Sequence, residues 1–100
     1  MDQRDAILRV IDYLGNIAPG TRCSAVFFDK DRIVREKEFY RQLYSENGVH
    51  DREVLRDMVD ANVPNDPYWL VSLKTGTADV EKTTLFRVDD RTRAVISDLS

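Results

Sequence analysis

The run Tyr68-Trp69-Leu70-Val71-Ser72-Leu73-Lys74 decides the fold class. Side chains alternate across a strand, so Trp69, Val71 and Leu73 share one wholly apolar face. The other face, Tyr68, Leu70, Ser72 and Lys74, turns polar toward its end, as in a sheet with one covered side. Residues 74–79 then read as a turn, with Gly76 free to take a positive φ and Asp79 able to hydrogen-bond its own backbone. A second strand over 80–88 sets Thr84, Phe86 and Val88 on one face and Thr83, Leu85 and Arg87 on the other. Asp89-Asp90-Arg91-Thr92 reverses the chain and residues 94–97 form a third strand, making 68–99 an antiparallel meander.

Such a sheet needs a covering layer, and the upstream chain supplies helices. Ile7, Val10, Ile11 and Leu14 recur at helical spacing over 3–14, with Asp2 as cap and Gly15 as stop. Val54, Leu55, Met58 and Val59 form a stripe over 51–61, capped by Asp51 and ended at Val63-Pro64. Between them, residues 23–28 are a short apolar run bounded by Pro19-Gly20 and Asp29-Lys30-Asp31, which predicts a strand apolar on both faces. Phe39, Tyr40, Leu43 and Tyr44 predict a helix over 36–45. Residues 32–37 fit either its first turns or a strand paired with 23–28 through an Asp29-Lys30-Asp31-Arg32 loop.

A chain of 100 residues, 42% hydrophobic and 33% charged at net −3, suits one α+β domain spanning 1–100. No run approaches the roughly 20 apolar residues of a membrane helix, and the acidic start lacks a signal-peptide core, so no membrane partner is expected. The lone Cys23 fits a packed thiol in a reducing, cytoplasmic compartment. Arginine over lysine and aspartate over glutamate suggest a GC-rich bacterial source.

Little in the sequence announces chemistry. His50 is the only histidine, beside Asp51 at a helix start, and reads as a surface residue. Asp29-Lys30-Asp31 begins like a calcium loop, but Ile33 and Val34 stand where a ligand and a glycine are required. Glu53, Asp57 and Asp60 read as a solvated acidic face, and the four glycines form no phosphate-cradling pattern, so neither metal nor cofactor is expected. Eleven arginines against four lysines raise nucleic-acid binding through Arg87, Arg91 and Arg93. Asp89, Asp90 and Asp98 lie in the same hairpin, which favours ion pairing over a phosphate-tracking surface. Nine aromatics exceed what one core layer buries; Tyr40, Tyr44 and Tyr68 are expected at the surface, at an interface or in a pocket.

The segments Tyr68-Trp69-Leu70-Val71-Ser72, Leu85-Phe86-Arg87-Val88-Asp89 and Thr92-Arg93-Ala94-Val95 resemble the strand-turn-strand signature of cystatin-like and PepSY-type small domains. In those, a Trp-containing strand precedes one ending in Val-Asp and a Thr-Gly turn. The resemblance covers about a third of the chain, implies a helix on a curled sheet, and brings no catalytic residues. Arg93 stands where that signature has glycine.

The expected fold is two-layer α+β, three helices on a mainly antiparallel sheet of four strands, with the cystatin-like arrangement as alternative. The leading functional expectation is a small intracellular protein-interaction or regulatory module, self-associating into a homo-oligomer and without catalysis of its own. Its interface or pocket candidates are Phe28, Tyr40, Tyr44, Tyr68 and Trp69. The alternatives are a small-molecule or enzymatic pocket lined by Trp69, Tyr40 and Tyr44 with His50 or Asp66, and a nucleic-acid accessory.

Overall fold

The computed structural model describes residues 1–77 and 79–97; the turn residue Ala78 and the hairpin's Asp98 and Leu99 lie outside them. The elements are α1 (Gln3–Leu14), β1 (Arg22–Phe28), α2 (Lys30–Glu46), α3 (Arg52–Asn62), β2 (Tyr68–Gly76), β3 (Glu81–Asp89) and β4 (Val95–Ile96). The strands form one open sheet in the order β1-β2-β3-β4. β2 and β4 both pair antiparallel with β3. Arg22 bridges to Glu81, which lies opposite Gly76 at the end of β2, while Phe27 meets Trp69 at its start, so β1 also runs antiparallel. This is the α+β class expected, and no described helix is long and apolar enough to cross a membrane. The chain divides into two compact units, Met1–Phe27 with Tyr68–Ser100, and Phe28–Pro67.

In the first unit the register aligns the two apolar stripes read from the sequence, pairing Trp69 with Val88, Val71 with Phe86 and Leu73 with Thr84. α1 packs on this face. Asp2 caps it reciprocally with Asp5, and Gly15 ends it in the left-handed conformation at φ 77°. The buried face of α1 is centred on Ala6 and Val10, which join Ala25, Val71, Leu73, Phe86 and Val88 in the core. Leu14, expected in that stripe, is exposed, and Ala6 takes a buried position because its small side chain lets the helix approach the sheet. Cys23 is a half-buried free thiol against this core. In β1 Ala25 is buried, whereas Ser24 and Val26 are exposed.

The first turn of the meander differs in detail from expectation, whereas the second reverses at Asp89 by the side-chain-to-backbone bonding its residues predict. β2 continues to Gly76, and Val80 falls in the turn because its carbonyl accepts the Thr77 N–H at 3.0 Å. In the second turn Asp89 Oδ1 accepts from the Arg91 and Thr92 N–H groups at 2.9 and 2.7 Å. Arg93 sits at φ 63°, the left-handed region that the resembled signature fills with glycine. Arg9 Nε donates to its carbonyl at 2.9 Å.

In the second unit the open question over 32–37 resolves as helix. Asp29 Oδ1 accepts the Arg32 N–H at 2.8 Å, so α2 starts at Lys30 with an N-cap instead of following a hairpin loop. Asp51 caps α3 through the N–H groups of Glu53 and Val54. The helices pack on each other over buried Ile33, Val59 and Val63. Lys37 bridges Asp60 at 3.5 Å and donates to Asn65, and Asn62 Nδ2 donates to the Tyr44 hydroxyl at 2.6 Å. Val54, expected in the α3 stripe, is exposed at the helix start.

Candidate functional site on the outward face of α2

Seventeen residues of α2 divide into two faces at helical spacing. Ile33, Lys37, Tyr40 and Tyr44 form one, tied to α3 and its following turn through Lys37 and Tyr44. Arg32, Arg35, Glu36, Phe39, Leu43 and Glu46 form the other, and Phe39 is 62% exposed on it. Phe28, Arg32, Arg35, Glu36 and Phe39 line an open groove, floored by the Arg32 guanidinium lying 4.2 Å above the Phe28 ring.

The five residues singled out from sequence fall into separate settings. Phe28 is half-buried in this groove. Tyr40 and Tyr44 are half-buried and stacked on each other at 6.0 Å, with Phe39 against the edge of Tyr40. Trp69 is half-buried in the first unit, 4.9 Å from Phe27, with its indole N–H on Asp90 Oδ1 at 3.0 Å. Tyr68 is only 3% exposed, with the Arg87 guanidinium 5.2 Å from its ring.

Tyr68, expected near the surface, is instead buried, while Tyr40 and Tyr44 are partly buried. Phe39 and Tyr13 are the most exposed aromatics among the described residues, because the tyrosines of α2 lie on its α3-facing stripe and Phe39 does not. The outward stripe has a sequence signal of its own in the seven-residue spacing of Arg32, Phe39 and Glu46.

The pocket expected around Trp69, Tyr40 and Tyr44 draws on residues of both units. Trp69 belongs to the first unit and the tyrosines, His50 and Asp66 to the second. Among the described residues no three His, Cys, Asp or Glu side chains are grouped to hold a metal ion.

Two aspartates of the second hairpin also bond to groups other than arginine side chains. Asp90 serves the indole and Asp89 the turn backbone. The Thr92 N–H, seconded by that of Arg91, holds the Asp89 carboxyl below its ordinary 3.8 against a smaller opposing effect of burial. A depressed folded value means that this stabilisation is complete above 3.8 and lost as pH falls through the folded value. Urea midpoints measured from about pH 5 down to about pH 2 should fall less steeply for Asp89→Asn than for the parent chain. Parallel acid limbs would show that the turn does not bind the carboxylate selectively.

Comparisons with protein-family models, curated proteins and solved structures find no match to this chain. The likeness to cystatin-like and PepSY-type domains rests on the hairpin residues alone.

Proposed function

We propose that this chain is a protein-interaction module that associates with a second copy of itself through the outward face of α2. The observation that carries this reading is Phe39, 62% exposed amid arginines on a regular helix. Aromatic and arginine side chains dominate interface energetics, and an exposed phenylalanine gains most when a partner covers it. The charge order along the face supports a second copy as that partner. Arg32 and Arg35 occupy its N-terminal half and Glu46 its C-terminal end, so an antiparallel pair of α2 helices centred on Phe39 sets Arg32 against the opposite Glu46. The half-buried thiol of Cys23 is compatible with a reducing, intracellular setting.

A charge swap tests the arrangement. Arg32→Glu places like charges together at both symmetric positions and should weaken association about tenfold, near 1.4 kcal/mol. Combining it with Glu46→Arg should restore association, as read by sedimentation equilibrium. Failure of the double variant to recover would remove the antiparallel pairing.

A further inference from the structure

α1 and β2 differ in length, and the difference leaves a cavity. Twelve helical residues span about 18 Å, whereas the nine of β2 span about 30 Å. The sheet therefore runs on past Leu14 on the face that the helix covers. Leu73 and Phe86, both core residues, form the floor there, and Thr75 and Thr84 continue the same face outward. The loop after Gly15 flanks this end and contributes Ile17 and Ala18 to its lining. That loop is pinned by the Thr21 hydroxyl donating to the Ala18 carbonyl at 2.6 Å. The resulting groove is open to solvent on one side and holds about 220 Å³.

None of the lining side chains is charged, in a chain where 33% of residues are. Three other grooves carry charged side chains, as at Asp5, Arg9 and Asp12 or at Arg32 and Arg35. An anion or cation resting here would find no opposite charge among the lining side chains. A neutral molecule would lay its apolar body on Leu73 and Phe86 and direct a hydroxyl or carbonyl to Asn16 and the threonines. A volume of about 220 Å³ leaves room for a substituted single ring lying in the open groove.

We infer that this cavity is a binding site for a small neutral molecule of about one ring carrying one hydrogen-bonding group. The site lies wholly in the first unit and does not depend on the α2 surface.

Protein NMR with p-cresol as probe and benzoate as its charged counterpart of similar size tests it. Saturable shifts at the amides of Ile17, Thr75 and Thr84 are expected with p-cresol, and at least tenfold weaker binding with benzoate. Ala18→Leu fills the cavity from the loop and should abolish the response to p-cresol. Should that variant disturb the loop, Thr84→Leu fills it from the strand with the same expectation. Unsaturable or scattered shifts, equal binding of benzoate, or undiminished binding by a folded cavity-filled variant would overturn the assignment.

Discussion

Phe86→Ala is expected to lower the unfolding free energy by about 3–5 kcal/mol, as read from urea denaturation. The ring is 3% exposed and faces Val71 across the sheet, with Tyr13 edge-on at 6.4 Å. Its removal takes away the largest apolar body in a core whose other buried members are mainly valines and alanines. Such small neighbours cannot reach into the space left behind. Domains of this size hold only about 5–15 kcal/mol in total, so the variant should populate the unfolded state measurably at moderate urea. Phe86→Leu, which keeps most of the volume, should lose far less. A loss below about 1 kcal/mol for Phe86→Ala would mean that the sheet is not held by this cluster.

Gly76→Ala is expected to cost about 2–4 kcal/mol, unusual for an exposed residue at a strand end. Two penalties combine there. The backbone stands at φ 103°, a region closed to side chains, and an added Cβ would lie 2.1 Å from the carbonyl oxygen of Val80. That oxygen accepts the Thr77 N–H that closes the turn, so it cannot withdraw without opening the β2–β3 hairpin. Gly20 and Gly48 provide the control. Their φ values are 81° and 96°, but an added Cβ would meet nothing within 4 Å. Alanine at either should cost only the conformational share, about 1–2 kcal/mol. Equal losses at all three sites would assign the effect to φ alone and remove the steric contribution at Gly76.

Much of the fold was legible because its local signals agree with one another. Alternation over residues 68–74 identified the face of the sheet that meets the helix, and Asp2, Gly15 and Asp51 mark helix ends by backbone chemistry that needs no tertiary contact. The start of α2 was ambiguous because Asp29 serves equally well as a turn residue or an N-cap, and only its bond to the Arg32 N–H decides. Exposure of individual aromatics was less legible. Phe39 and Tyr40 are adjacent in sequence, yet 100° of helical rotation places one outward and the other toward α3. Nor does local sequence disclose the uncharged cavity. It arises from a mismatch in length between a helix and a strand separated by more than fifty residues.

Static light scattering across rising protein concentration tests the proposed self-association most directly. The parent chain should approach twice the 11.6 kDa chain mass, while Phe39→Asp, which places a carboxylate at the centre of the helix face, should remain at the single-chain value with an unchanged helical spectrum. A parent chain that stays monomeric at several hundred micromolar, or a Phe39→Asp protein that dimerises as the parent does, would contradict α2 as the interface.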